Sequence, residues 1–378
     1  MRVFLTGATG FLGSEVARLL RDRGDQVRAL VRDPARADAL RRLGCEVVEG
    51  DLSDEPALFE HCRGVQAVVH TAAVTDIGVT PDRREAMVDV NVTGTERVLG
   101  AALSAGVSKA VHVSSVAVHG DTGGRVADER WSRDASAECA SAFEQTTALA
   151  LRRAREISAC GLPLVVVQSG PVYGPGEPRV LLGVLESFLS GRLSALPFPE
   201  LGVCPVHRDD LAAGVLLALD KGTPGESYVL AGEPVRLAEV LQELADVSGR
   251  RPPAMTVPSG LLRALVPAGP LVTRVLGQPV ANLGGFHALG HDAIAEVMGH
   301  DDHRPDQDGT VIIRIDLGHE RTVDFQGAGR DLLEIGQAAV AGAEIIDGDL
   351  HASIADLAQL LQGAVAVSDE GALRKLQL

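Results

Sequence analysis

The chain has 378 residues, enough for one large domain or two ordinary ones. Apolar residues make up 46% and charged residues 23%, which is globular composition and excludes a largely disordered chain. Acids outnumber bases by 51 to 35, and the resulting formal charge of −16 disfavours nucleic acids and anionic membrane surfaces as partners.

The first half of the chain alternates short apolar runs with helical patterns. We predict strands over residues 2–6, 26–31, 46–50, 67–72, 110–116 and 164–169. Helices are predicted over residues 14–23, 35–43, 55–62, 84–105 and 140–159. This alternation predicts a parallel sheet with helices on both faces, joined by right-handed crossovers.

The pattern changes after Gly170. Pro and Gly cluster over 170–178, and later elements are a strand over 227–231 and helices over 180–193, 211–219 and 235–248. Residues 251–290 are apolar and rich in Pro and Gly, and the tail predicts a strand over 311–317 and helices over 331–343 and 353–362. We expect an α/β protein: a Rossmann-type doubly wound parallel sheet with a smaller, mostly helical C-terminal region.

A glycine pattern lies between the first strand and the first helix. The segment TGATGFLG places Gly7, Gly10 and Gly13 where a tight turn, a close approach to a pyrophosphate and close helix packing each need a residue without a side chain. The following helix directs its free N–H groups and positive dipole end at the phosphates. The sequence therefore predicts a dinucleotide cofactor here.

The end of the second strand distinguishes the two nicotinamide dinucleotides. An acid at that position holds the ribose 2′-hydroxyl of NAD, whereas here Arg32 follows Val31 and Arg36 comes one helical turn later. Arginine pairs well with a 2′-phosphate. We therefore predict NADP(H). Residues 1–170 are the predicted NADP-binding domain, to which 201–231 return, and 171–200 with 232–378 form the substrate-binding and lid region.

Seven motifs together resemble the extended short-chain dehydrogenase/reductase family over roughly the first 260 residues. They are GxxGxxG at 7–13, GDL at 50–52, HTAA at 70–73, NVTGT at 91–95, VSSVAVHG at 113–120, GPVYGP at 170–175 and VHRDDLA at 206–212. The resemblance implies a Rossmann fold, with Asp51 facing the adenine and Ser115 polarising the substrate carbonyl. Together with the glycine loop and the arginines, it implies these cofactor-binding residues: Gly7, Thr9, Gly10, Phe11, Leu12, Gly13, Arg32, Arg36, Asp51, Leu52, Thr71, Ala72, Ala73, Ser114, Pro171 and Val172.

The chain departs from the family at its usual proton donor. In the family a Tyr exchanges the proton and a Lys four residues later lowers the pKa of that Tyr. Counting back from residues 161–167, the Tyr position falls on Phe143 and the Lys position on Thr147. The only tyrosines, Tyr173 and Tyr228, have no lysine four residues on, so the usual pair is expected to be absent. His119, where the family often has Tyr, is either a substitute donor or a buried histidine at a strand end.

Three functions remain open. The first is an NADPH-dependent ketoreductase of secondary metabolism, in which a substrate phenol, water, or a relay through Ser115 or Thr147 supplies the proton to an aromatic polyketide ketone. This chain resembles an atypical branch of the family that lacks the same Tyr and Lys and reduces an angucyclinone. The second is an NADP-binding regulator or redox sensor, and the third a non-redox cyclase or dehydratase. We favour the reductase, because the apolar second half suits a flat, apolar small-molecule substrate.

The cysteines, the histidines and the apolar segments bear on disulfides, metal binding and cellular location. Five widely spaced cysteines without a CxxC pair disfavour a disulfide framework and a structural zinc site. His287, His291, His300 and His303 form a polar cluster that we predict to be a surface loop without a metal. No signal peptide or membrane span is apparent, so a cytoplasmic location is expected, and the sequence leaves the oligomeric state open.

Overall fold

The structure is a computed structural model, and it describes residues 1–75, 81–122, 125–133, 139, 141–175, 182–197, 199–257 and the backbone of 313–314. The strands are β1 (Arg2–Thr6), β2 (Gln26–Val31), β3 (Glu46–Glu49), β4 (Ala67–His70), β5 (Lys109–Ser115), β6 (Leu164–Ser169), β7 (Val172–Tyr173), β8 (Ala195–Pro197), β9 (Gly202–Val203), β10 (Val206–His207), β11 (Ser227–Ala231), β12 (Val235–Arg236), β13 (Met255–Val257) and β14 (Ile313–Arg314). The helices are α1 (Phe11–Asp22), α2 (Asp38–Arg42), α3 (Glu55–Cys62), α4 (Pro81–Val88), α5 (Gly94–Ser104), α6 (Ala142–Ala159), α7 (Leu182–Leu189), α8 (Arg208–Lys221) and α9 (Leu237–Ser248).

The central sheet is parallel throughout and has the order β14-β11-β6-β5-β4-β1-β2-β3. The strand order reverses between β1 and β4, which is the topological switch point of a doubly wound sheet. The Rossmann-type α/β fold predicted from the sequence is confirmed. Within the described residues, no helix has the length and apolar character needed to cross a membrane.

Alternate residues of each strand pack into two separate cores. Val3 and Leu5 face one side, where they pack with apolar residues of α1 and α8. Phe4 faces the other side, against apolar residues of α3, α5 and α6. A later part of the sequence also belongs to this sheet and its cores, because α8 packs on α1 and β11 pairs with β6. This placement accounts for the apolar runs in the sequence, since a parallel strand is buried on both faces.

A third, smaller core lies beyond β6. It combines one face of α7 with one face of α9, through residues such as Leu185, Phe188 and Leu241. Short strand pairs β9–β12 and β8–β13 accompany it. The predicted lid region lies mostly outside the described residues, as do the helices predicted over 331–343 and 353–362. The assignment of domains stays a prediction.

Three predicted elements differ from the structure in informative ways. The helix predicted over 35–43 is divided, because Asp33 caps a separate 3₁₀ turn (Pro34–Arg36) by accepting the N–H of Ala35. The strand predicted over 67–72 ends at His70, where the Thr71 hydroxyl donates to the carbonyl of Thr6 at 2.8 Å. The helix predicted over 84–105 contains a π-helical turn, Asp89–Thr93, between α4 and α5.

Candidate active site

The predicted site residues gather at one edge of the sheet. They follow the carboxyl ends of β1, β2, β3, β4, β5 and β6, on both sides of the switch point between β1 and β4. Open α/β sheets bind ligands in the crevice at this edge, because the connecting loops separate there to opposite faces. Most of the motifs that were scattered in the sequence are therefore neighbours in the fold.

The glycine loop after β1 is a tight cradle. Gly7 has a φ of +73°, and a Cβ there would lie 2.7 Å from the backbone nitrogen of Ala72. A Cβ at Gly13 would lie 2.2 Å from the carbonyl oxygen of Gly7, because α1 packs directly on the turn. Gly10 precedes α1 without a side-chain cap, so the first N–H groups of the helix are left for a ligand. These residues fit the pyrophosphate of a dinucleotide.

The other cofactor residues of this loop flank the cradle. Thr9 and Gly10 are exposed, whereas Leu12 is partly buried and packs on the core behind them. Phe11 lies under the guanidinium of Arg208, 5.3 Å from the ring centre, and Arg208 also donates to the carbonyl of Pro175 at 3.0 Å. Arg208 begins α8, so these contacts connect the cofactor loop with the segment after β7.

Two arginines stand exposed beyond β2. Arg32 and Arg36 have no ion-pair or hydrogen-bond partner for their side chains among the described residues. Asp51 follows β3 and accepts the N–H of Ser53 at 2.9 Å. Hydrogen bonds from Ser53, helped by the charge of Arg32, hold the pKa of Asp51 below its ordinary value. Arg32 is therefore close to the predicted adenine contact, and its guanidinium is available to a phosphate. Leu52 packs beside Gly94.

The HTAA motif is fastened to the helix that follows it. Thr71 and Ala72 lie against Gly7, while Ala73 is exposed. Asn91, in the π-helical turn, accepts the N–H of Val74 at 2.7 Å and donates to the Val74 carbonyl at 2.9 Å. Its amide also donates to the hydroxyl of Thr146 on α6 at 3.2 Å. One buried side chain thus holds the loop after β4 against α6, the helix that carries the predicted catalytic positions Phe143 and Thr147.

The two predicted catalytic hydroxyls have different environments. Ser115 ends β5 and is half-buried, and its Oγ accepts the N–H of Ala117 at 3.2 Å. Its own proton is therefore available to a substrate oxygen. Thr147 is buried on α6 and donates its proton to the carbonyl of Phe143 at 2.7 Å, so a relay through Thr147 requires that bond to open. Phe143 is half-buried at the start of the same helix.

Of the rare tyrosines and lysines that the structure describes, Tyr173 borders the candidate site and the others lie at the opposite edge of the sheet. Tyr228 is on β11, and its hydroxyl accepts the N–H of Thr223 at the amino edge of the sheet. Tyr173 is a buried residue of β7, packed edge-on against His207 with ring centres 5.3 Å apart. Lys109 begins β5 and Lys221 ends α8, both at the amino edge, opposite the candidate site. Lys375 is outside the described residues.

The remaining predicted cofactor residues border the site at β5 and β7. Pro171 accepts the N–H of Val206 at 2.9 Å, and Val172 pairs with Val206 in a short parallel ladder. Ser114 is buried, 6% exposed, and its side chain points to the opposite sheet face from that of Ser115.

Sequence reasoning missed a buried ion pair next to the predicted catalytic positions on α6. Arg133 contacts Glu144 at 2.5 Å, and the two side chains are 16% and 4% exposed. Both lie against Gly120, just after the turn that follows β5. Glu144 is the residue after Phe143, so the pair fastens the loop before α6 to the start of that helix. Nothing in the local sequence indicates this pairing, because the two residues belong to different segments.

No metal site is found in the part of the chain that the structure describes. His287, His291, His300 and His303, predicted as a surface loop, lie outside that part, so their role stays a prediction.

A family model described as the NAD dependent epimerase/dehydratase family matches residues 3–231. The chain belongs to this family. A putative dihydroflavonol 4-reductase of Synechocystis sp. is 34% identical over 68% of this chain and 75% of its own length. A ketoreductase of a farnesylated dihydroquinoline oxide from Stigmatella aurantiaca is 30% identical over 73% of this chain and 82% of its own. The crystal structure of gox2253 superposes with a TM-score of 0.66 and 31% identity, covering 78% of this chain and 89% of that one.

These comparisons support the coarse assignment of the site. The family is described as NAD dependent and the two named relatives are reductases, so the comparisons support an enzyme, and the cradle after β1 fits the nicotinamide dinucleotide that the family's description names.

Proposed function

We propose that this protein is an NADPH-dependent ketoreductase that reduces a ketone or quinone carbonyl of an aromatic polyketide-like substrate without a tyrosine acid. The observation that carries the proposal is the combination at one sheet edge of an intact phosphate cradle with Phe143 and Thr147 on α6. The two reductase relatives support carbonyl reduction, and one of them is named for a ketone on a farnesylated, ring-fused dihydroquinoline oxide.

Preference for the phosphorylated cofactor rests on Arg32 and Arg36. Both are exposed, both lack a partner among the described residues, and no acid occupies the end of β2. Asp33, the acid that follows Arg32, has its carboxylate engaged by the N–H of Ala35 at 3.0 Å. A 2′-phosphate would therefore meet two unpaired guanidinium groups, and a 2′-hydroxyl would lack the usual carboxylate.

A bound nicotinamide would supply the hydride, and the protein's own groups prepare the carbonyl that receives it. Ser115 accepts a hydrogen bond from Ala117, and this bond fixes the hydroxyl while leaving its proton free to donate to the substrate oxygen. Such a donor stabilises the negative charge that develops on that oxygen. Phenylalanine at 143 has no exchangeable proton, and the proton of Thr147 is already given to a backbone carbonyl. The final proton must come from another source.

The test is oxidation of NADPH by the purified full-length chain with a panel of hydroxylated aromatic ketones and quinones. We expect nicotinamide absorbance to fall only when a ketone is present, and to fall faster with NADPH than with NADH. Ser115→Ala should lower kcat by about 10²-fold or more, as loss of one oxyanion donor does. Ser108→Ala is the matched control, because Ser108 is an exposed serine at the amino edge that donates to Gln66.

Two outcomes would contradict the proposal. Tight NADPH binding with no ketone reduced would favour the regulator or redox sensor. A product formed without consumption of NADPH would favour the cyclase or dehydratase.

A further inference from the structure

A group of polar atoms is buried without hydrogen-bond partners beside the candidate active site. They are Nδ1 and Nε2 of His112, Oγ of Ser114, Nε2 of His119, Oε1 of Gln168 and Oε2 of Glu129. These five residues are called the polar cluster below. Four of them are nearly inaccessible, at 5%, 6%, 6% and 2% exposure for His112, Ser114, His119 and Gln168.

The strand register places these residues together. Ser114 on β5 is directly beside Gln168 on β6, and His112 lies two residues earlier on the same sheet face. Gln168 is beside Val229 on β11, whose N–H donates to Oε1 of Glu129 at 2.7 Å. His119 completes the group, because Gln168 is close enough to its ring to oppose in part the lowering of its pKa by burial.

The segment 125–133, which contains Glu129, contacts the polar cluster at two points. Glu129 reaches β11 as described, and the Trp131 indole donates to the backbone carbonyl of His119 at 3.1 Å. The guanidinium of Arg125 lies over the Trp131 ring, 4.5 Å from its centre. Glu129 and Trp131 therefore attach this segment to β11 and to the turn after β5, next to Gln168 and His119, while Arg125 holds the Trp131 ring from within the segment.

Six buried polar atoms without partners would cost free energy comparable to the whole stability of a typical domain. Native proteins avoid such a cost by placing internal waters between the groups. Burial lowers the pKa of His112 to about 4 and lowers that of His119. Each imidazole is then neutral near pH 7 and offers one donor and one acceptor, the arrangement that a water chain needs.

The polar cluster also adjoins the reacting group. Ser114 is the chain neighbour of Ser115, and the hydroxyl of Ser169 donates to the Ser114 carbonyl at 3.2 Å. The turn Val116–His119 runs directly from Ser115 to His119 and packs on α6, the helix that carries Phe143. Water in the polar cluster would therefore end next to the position where the family's tyrosine acid is replaced.

We propose that the polar cluster holds a chain of internal waters that delivers the proton to the substrate oxygen at Ser115. This rests on the proposed ketoreductase function. The carbonyl carbon accepts the hydride with its electron pair, and the π pair of the C=O bond moves to oxygen as an alkoxide. The alkoxide takes a proton from the Ser115 hydroxyl or from the adjoining water. That donor then regains its proton from solvent through the chain of waters. The products are the alcohol and the oxidised nicotinamide.

Within this proposal His119 and Gln168 are positioning residues, because they hold waters and do not touch the substrate. The test measures kcat, KM and the solvent deuterium isotope effect for the full chain with NADPH. Two substrates are compared, an aromatic ketone with a phenol beside the carbonyl and its methyl ether. The methyl ether cannot donate a proton, so it isolates the contribution of the protein.

We expect the methyl ether to be reduced, with a solvent isotope effect on kcat. His119→Leu and Gln168→Leu should lower kcat about tenfold while KM for both substrates stays unchanged, since both residues stabilise only the proton-transfer step. His119→Gln, which still binds water, should restore most of kcat. His61→Leu is the matched control, because its Nε2 is also buried without a partner but lies beside Phe4, outside the polar cluster.

Wild-type kcat in both leucine variants would overturn the proposal, and so would a methyl ether that is not reduced while its parent phenol is. A high-resolution crystal structure gives a readout independent of turnover. We expect waters within hydrogen-bond distance of His119 Nε2 and Ser114 Oγ. A polar cluster without water would refute the proposed chain of waters. If the waters are present but no ketone is reduced, the proposed function and the proton-delivery step are both refuted. The existence of the buried water site is then still confirmed.

Discussion

The packing of α1 on the glycine turn can be tested with a single methyl group. In Gly13→Ala the new Cβ would lie 2.2 Å from the Gly7 carbonyl oxygen, 2.7 Å from its carbonyl carbon and 2.8 Å from Oγ1 of Thr71. Two of these atoms are backbone, so no rotamer change relieves the overlap. The helix must move away from β1 by a substantial part of an ångström.

Overpacking of this kind typically costs about 1–3 kcal/mol. Because the amides at the start of α1 move with the helix, they no longer point at the pyrophosphate. We therefore expect Gly13→Ala to lower the free energy of unfolding by about 1–3 kcal/mol. We also expect it to weaken NADPH binding by at least about tenfold, which corresponds to about 1.4 kcal/mol.

The assays are urea unfolding and direct titration with NADPH. The matched control is Gly100→Ala, because a Cβ at Gly100 meets nothing within 4 Å and the residue lies inside α5. Alanine is preferred over glycine in a helix by about 0.5–1 kcal/mol, so the control should be slightly more stable and bind NADPH normally. Wild-type stability and affinity in Gly13→Ala would refute the close packing on which the cradle depends.

Three further predictions follow from the same contacts. Arg32→Gln should weaken NADPH binding by about 1.5–3 kcal/mol, as loss of a charged hydrogen bond does, and leave NADH binding nearly unchanged; Arg41→Gln, on the exposed α2, should change neither titration. Asn91→Ala should reduce the free energy of unfolding by about 1–3 kcal/mol or more, because it leaves the N–H of Val74 unpaired in a half-buried loop, and faster amide exchange of that loop would report it. Burial lowers the pKa of His112 to about 4, below its unfolded value near 6.5, so stability should fall as the pH drops from about 6.5 to about 4; His112→Leu should flatten this slope in unfolding experiments, and an unchanged slope would contradict the assignment.

Much of the fold was predictable because its elements are locally encoded. The strands over 2–6, 26–31 and 164–169 and the helix over 55–62 are found at the predicted bounds. Each strand is an apolar run buried on both faces of a parallel sheet, and Asp54 caps the helix by accepting the N–H of Ala57 at 3.1 Å. The glycine loop was predictable for a similar reason, since the three glycines serve contacts within one short segment and its neighbouring strand.

The polar cluster was not predictable from the sequence. His112, Ser114 and Gln168 occupy positions that look like ordinary strand residues, and only the parallel register of β5 and β6 brings them to one face. Glu129 belongs to a connecting segment whose contact with β11 spans a hundred residues of chain. Hydrogen bonds between segments so far apart have no periodic signature, because they depend on how the elements dock.

The sequence by itself determined that only two tyrosines and three lysines exist in this chain, and that no tyrosine is followed by a lysine four residues later. The tertiary structure decided where those residues are: Tyr228, Lys109 and Lys221 lie at the amino edge of the sheet, and Tyr173 is packed against His207. Composition limits which chemical groups are available. Only the packing of strands and helices decides which groups reach the carboxyl edge, where this fold binds its ligands.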